Sequence, residues 1–232
     1  MKTNTPKRNT AEMVAAACYA YRVKGNEIVR EDQSARPEWK DHDGTSIPAT
    51  PEVKSNKRVA LDALVNSKIT DADREHAAEA IEHIQSNLTM NLLAGKKVGT
   101  FIQDLAKELE QEELPEFKLG ILVYVPNVYA TAKVKEAITE KVSECMYSSQ
   151  SLGADGRKVT VSFTLIEKRF LQAYGCYSAF GKDEAGNLIS FLTQHEELCE
   201  SGKRVGKIKK SDHDKWHNNA IVTSLNYVKA CS

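Results

Sequence analysis

Residues 157–170 read RKVTVSFTLIEKRF, and the alternation inside them decides how the last third of the chain folds. Val159, Val161, Phe163 and Leu165 alternate with Thr160, Ser162, Thr164 and Ile166, the period-two pattern of a strand with one buried face. Lys168, Arg169 and Phe170 break the pattern, so a loop is expected there. Working outward, a second strand is expected over about 173–180. Residues 182–187, KDEAGN, form a turn with glycine where a positive φ is needed. Residues 188–193 return as a third strand, and 194–201 make a short acidic connector with helical character. Gly202 leads into a fourth strand over 203–210, and 211–219 is a polar loop. Ile221, Thr223, Leu225 and Tyr227 then alternate in a fifth strand.

Five strands in one meander, with a small connector between the third and fourth, fit an OB-fold barrel. The closing stretch, KRVG at 203–206, KIKK at 207–210, a polar loop and LNYVK at 225–229, resembles the tail of OB-type domains in bacteriophage replication proteins. The whole chain resembles single-stranded nucleic-acid-binding proteins of bacteriophage replication and recombination. The resemblance implies a ligand lying across the second and third strands, between the loop joining strands one and two and the loop joining strands four and five. On this sequence the first loop would supply Lys168, Arg169, Phe170 and Tyr174, and the second His213, Lys215, Trp216 and His217. Tyr177, Phe180 and Phe191 would serve as stacking platforms, and Lys207, Lys209 and Lys210 as a phosphate track. A barrel must also fill its interior, and Phe163, Phe191 and Tyr227 are expected there, with Phe180 divided between the two roles. Trp216, with polar neighbours, is the aromatic expected at the surface.

The rest of the chain reads as helical. Asn9 caps a helix that runs to about Val23, with Glu12 three residues on. Residues 25–56 lose periodicity around Pro37, Pro48 and Pro51 and read as a long loop or a partly disordered arm, with Trp39 either its anchor on the body or a stacking or partner-contact residue. Thr70 starts another helix with acids in its first turn. Ile81, Ile84 and Leu88 line one face of it, and Gly95 and Gly99 bracket a break. Val98, Phe101, Ile102, Leu105 and Leu109 keep helical spacing up to the stop at Pro115. The apolar run 119–125 reads as a buried strand. Val134, Ile138, Val142 and Cys145 give a helix behind it, and 148–156 is a linker. The expected architecture is α+β: a mainly helical region over 1–115, a strand–helix connector over 116–150, and an OB-like five-stranded barrel over 151–232.

The chain has 232 residues, 32 basic and 32 acidic, and 41% are hydrophobic. The neutral total hides an asymmetry. Residues 71–116 hold 11 acids and 4 bases, a net of −7, whereas 201–232 hold 7 bases and 2 acids, a net of +5. Local field, not total charge, steers a polyanion. No apolar stretch approaches the roughly 20 residues that span a bilayer, and the polar N-terminus lacks a secretory core. Five widely spaced cysteines without a CxxC pair fit reduced thiols and a cytoplasmic setting, the host cytoplasm for a phage-encoded chain.

Asp212-His213-Asp214 with His217 can be drawn as a metal site, but matched partners are missing elsewhere. His76 and His83 share a helix face without a third ligand of fitting spacing. Gly95-Lys96-Lys97 lacks the glycine-rich lead-in of a phosphate loop, and no Gly-x-Ser-x-Gly elbow is present. The expectation is therefore a protein that is not an enzyme and needs no cofactor. It binds single-stranded nucleic acid, DNA in preference to RNA, while its helical half self-associates or contacts a replication or transcription enzyme. The competing expectation is an adaptor or inhibitor whose acidic helices dock on a host or phage enzyme.

Overall fold

The structure, a computed structural model, describes residues 6–215 and 219–231. They fall into two compact units that divide between Ala132 and Lys133, inside the stretch expected to act as a connector. The chain is α+β, with helices in the N-terminal half and a five-stranded sheet in the C-terminal half. No helix among the described residues is long and apolar enough to cross a membrane.

The first unit comprises β1 (Lys7–Asn9), α1 (Thr10–Val23), β2 (Trp39–Lys40), β3 (Ser46–Ile47), α2 (Asn56–Val65), α3 (Asp71–Leu93), α4 (Thr100–Leu109), β4 (Glu113–Pro115), α5 (Leu119–Leu122) and the first turns of α6 (Val125–Ser143). Asn9 caps α1 as expected, its side chain accepting from the Glu12 N–H at 3.1 Å. Met13, Val14, Ala15, Ala16, Ala17 and Ala20 are all fully buried, so α1 is enclosed on nearly every side. Its alanines let α2, α3 and α5 pack against it. Thr70 and Asp73 form a reciprocal capping box at the start of α3. Asp73 is nearly buried. Burial opposes its charge, but two 3.0 Å bonds from Arg22 and the Thr70 hydrogen bonds outweigh that and hold its carboxyl below the ordinary range. Cys18 has no such partner, and burial pushes its thiol up to about 12.

Two expectations for this unit need correcting. The apolar run 119–125 is not a strand but α5 and the entry to α6. Leu119, Leu122 and Val125 recur every third residue and are fully buried in the helical core. An unbroken apolar run carries no period that separates a buried helix from a buried strand. Pro126 sits in the first turn of α6, where its missing N–H costs nothing. The second correction concerns only the anchor of residues 25–56, which form the expected long loop, closed by paired bridges, Gln33 with Val53 and Arg36 with Thr50. Its anchor is Asn56, buried, accepting from the Val29 N–H and donating to the Glu27 carbonyl. Trp39 is 52% exposed. The β1–β4 pair, without a signal in the sequence pattern, closes the unit.

The second unit holds the C-terminal half of α6, then β5 (Lys158–Leu171), β6 (Cys176–Lys182), β7 (Leu188–Thr193), a 3-10 turn over Glu196–Cys199, β8 (Gly202–Asp214) and β9 (Ala220–Ala230). The strand order is β5-β6-β7-β9-β8, not the sequential meander expected, because the connector after β7 carries the chain past one strand position; β8 pairs back onto β5, closing the sheet. Every pairing is antiparallel except β7 with β9. Phe163 and Phe191 meet edge to face at 5.1 Å in the interior, with Ala179, Ile189, Ile208 and Leu225 around them.

Here four further expectations fail, each for a local reason. β5 does not end at Lys168; it runs on to Leu171, because a bulge between Leu165 and Glu167 restarts the alternation rather than ending the strand. β8 likewise continues to Asp214, so His213 lies in a strand and the loop is shorter. Tyr227 is not core: it is 79% exposed, in the left-handed region at φ 56°. The residues at 148–156 are not a free linker, since the Ser149 hydroxyl donates to the Ile221 carbonyl at 2.6 Å and accepts from the Leu188 N–H at 2.9 Å.

Candidate nucleic-acid interface

The end of the barrel that carries the β5–β6 hairpin holds the expected first-loop residues. Lys168 donates to Glu196 Oε1 at 2.9 Å and to Glu200 Oε1 at 3.0 Å, which raises its pKa above the ordinary lysine value. Tyr177 donates to the other Glu196 oxygen at 3.1 Å, and Lys168 and then Tyr177 hold the Glu196 carboxyl low. Arg169 is 2.6 Å from Glu167. Phe170, half exposed, lies 4.9 Å from the Tyr177 ring at 55°, and Tyr174 at the turn is 77% exposed. Lys168, Arg169, Phe170, Tyr174 and Tyr177 are thus brought together, but both cations are already satisfied by carboxylates of the same unit.

The carboxylates are held there by Arg204. Its buried guanidinium donates to the carbonyls of Glu197, Leu198, Glu200 and Lys203, which fixes the connector between β7 and β8. A buried arginine in a run of exposed lysines has a structural partner set, not a ligand.

The outer face of β6 and β7 is not an open platform. Phe180 and Leu188 are buried beneath Val142 and Cys145 with Val222 beside them, so α6 covers that part of the sheet. Phe191 points inward. Neither phenylalanine offers a free face for a base. Beside the helix lies a groove of about 660 Å³ lined by Lys135, Thr139, Glu167, Arg169, Ser178 and Asp214. Its two cations face two anions, so it does not attract phosphate by net charge.

The expected phosphate track behaves differently. Lys207, Lys209 and Lys210 are all exposed along β8. Lys210 is 3.5 Å from Asp212, whose carboxyl is held low first by the His213 N–H and then by Lys210. Lys215 is exposed in the turn after β8, while Trp216 and His217 lie outside the described residues. Asp212 and Asp214 point to the opposite sheet face from His213, whose Nδ1 is 2.8 Å from the Asn219 carbonyl oxygen. Among the described residues no three His, Cys, Asp or Glu side chains gather as a metal site.

Pairing on the far side of the barrel brings in residues that sequence reasoning missed. Lys158 on β5 lies directly opposite Lys207, and Lys229 on β9 lies opposite Val205. With Tyr227 they line an open groove of about 420 Å³. The signal was register, which a single sequence does not expose.

No known protein family, curated protein or solved structure matches this chain.

Proposed function

We propose that the second unit is an OB-type barrel that binds single-stranded nucleic acid, DNA before RNA, without catalysing a reaction. The observation that carries this reading is the closed order β5-β6-β7-β9-β8 with a single parallel contact between β7 and β9. That is the wiring of a five-stranded Greek-key barrel with the connector between its third and fourth strands, an architecture used for oligonucleotides. Exposed lysines on β8 and exposed aromatics at Tyr174 and Tyr227 add the chemistry that holds a strand, cations for phosphates and flat rings for bases. Lys215, exposed in the turn after β8, adds a further cation; Trp216 and His217, expected from the sequence to contact the strand, lie outside the described residues. In this reading the chain acts in phage replication, recombination or transcription, the setting its resemblance implies.

Titration of labelled oligo(dT), duplex DNA and oligo(U) at two salt concentrations tests it. The expected result is a preference for the single strands, tryptophan quenching, and affinity that falls with salt by about 0.7 in log–log slope per phosphate contacted. A protein that shifts no oligonucleotide at low salt is not of this class.

A second reading rests on its own observation. Met90, Leu92 and Leu93 at the end of α3 are 67%, 55% and 81% exposed, within the stretch 71–116 whose net charge is −7. Exposed apolar side chains of this kind suit a protein partner, an enzyme of replication or transcription or a second copy. Stoichiometric capture of a protein by nuclease-treated material would favour it.

A further inference from the structure

We infer that the strand runs over the outer face of β5, β8 and β9, along Lys158, Lys207 and Lys229 with Tyr227 as the stacking ring, rather than over the β6–β7 face. This rests on the proposed nucleic-acid binding and names its path.

Three observations converge on this face. The first is charge without compensation. The outward positions of the three strands near the groove are Lys158, Thr160 and Ser162 on β5, Lys203, Val205 and Lys207 on β8, and Asn226, Tyr227 and Lys229 on β9. None is acidic, and the lysines at 158, 203, 207 and 229 have no carboxylate partner among the described residues. The hairpin end has the reverse arrangement, with each cation clamped.

The second observation is that Lys158 and Lys207 are a direct cross-strand pair. Such neighbours stand about 5 Å apart at Cβ, and like charges there repel. The fold gains nothing from that pairing. A phosphodiester bridging the two ammonium groups would remove the repulsion on binding.

The third is backbone strain. Tyr227 holds φ at 56°, which a bulky L side chain adopts at a cost. A bulge puts it there: Val205 faces Lys229 and Lys207 faces Asn226, so one residue, Gly206, stands against two, Tyr227 and Val228. A Cβ on Gly206 would come within 3.3 Å of the Asn226 carbonyl, Leu225 and Val228. The bulge lifts Tyr227 off the barrel and leaves it 79% exposed. Strain that serves to expose an aromatic ring between unpaired lysines is the mark of a contact surface rather than of packing.

The experiment compares four proteins by anisotropy of labelled oligo(dT) at two salt concentrations and by thermal midpoint. They are the full chain, the triple variant Lys158→Gln/Lys207→Gln/Lys229→Gln, Tyr227→Gly, and the hairpin control Lys168→Gln/Arg169→Gln. The triple variant should lose at least about 30-fold in affinity and lower the salt slope by about 2. Its midpoint should stay or rise, since a repulsive pair is gone. Tyr227→Gly should lose about 5- to 100-fold in affinity with an unchanged or higher midpoint. The control should stay within about threefold of wild type. Wild-type protein that binds while the triple variant keeps its affinity and slope overturns the path alone. A control that loses as much as the triple variant also overturns it. A lower midpoint for Tyr227→Gly would assign that ring to packing and overturn its role. Wild-type protein that binds nothing overturns the function, and the path with it.

Discussion

The barrel has two basic regions that look alike as a string of letters and differ as surfaces. Near residue 168, cations and aromatics sit together, but Glu167, Glu196 and Glu200 have already taken the charges. Across β5, β8 and β9 the lysines are dispersed in sequence, at 158, 207 and 229, and come together only through strand pairing. There they meet no acid. The difference teaches that a count of cations in a loop is not a field; what remains after intramolecular pairing is what a polyanion feels.

The most disruptive test removes the frame on which both regions stand. A Cβ at Gly181 would run into the Thr164 carbonyl and the Phe163 ring. Gly181→Ala should therefore cost about 3 kcal/mol or more and abolish the cooperative melting of the second unit, while the α1–α3 core keeps its helical signal. Retained barrel melting would mean that β5 and β6 are less tightly opposed than described.

Next in size is Arg204→Met. It leaves four connector carbonyls without their donor, at a cost of about 2–3 kcal/mol. It should loosen the carboxylates at the hairpin end more than the lysine face. Hydrogen exchange along 195–200 against 203–207 would separate the two; equal loosening would erase the distinction.

Tyr227→Gly works in the opposite direction. Releasing the positive φ should stabilise the fold by about 1 kcal/mol in denaturant melts, a gain that a merely structural tyrosine would not allow.

A smaller effect comes from Glu196→Gln with Glu200→Gln, which frees Lys168. Oligonucleotide affinity should rise by about two- to fivefold at low salt. No change would mean that the hairpin end lies too far from the strand to matter even when its charge is released.

The smallest effect is a titration. Glu196 is held below the ordinary glutamate pKa by Lys168 and then Tyr177. Its contribution is therefore fully present above that ordinary value and is lost as pH falls through the lowered one. A side-chain carboxyl signal for Glu196 that titrates above the ordinary value would break the clamp described here.

The strands were legible to different depths. Residues 188–193 are a short, largely apolar run between the turn at 182–187 and the acidic connector, so β7 appears where the sequence predicts it. β5 and β8 outrun theirs because bulges at Ile166 and near Lys209 shift the alternation without ending the ladder. The helical caps at Asn9 and Thr70 are local chemistry and could be read directly. The run 119–125 could not, since every position in it is apolar. The lysine face was invisible for a deeper reason: it depends on which residue of β5 stands opposite which residue of β8, and only barrel closure fixes that register. Tyr227 misled because its alternation with Leu225 holds in sequence, while the bulge at that point turns it outward.

The most direct test of the lysine face is a footprint. Lysines of the full chain would be acetylated at limiting reagent with and without a saturating excess of oligo(dT), and the modified sites quantified by mass spectrometry. The predicted result is protection of Lys158, Lys207 and Lys229 by the oligonucleotide, with Lys168 unchanged. Protection of Lys168 with no change at the other three would contradict the account.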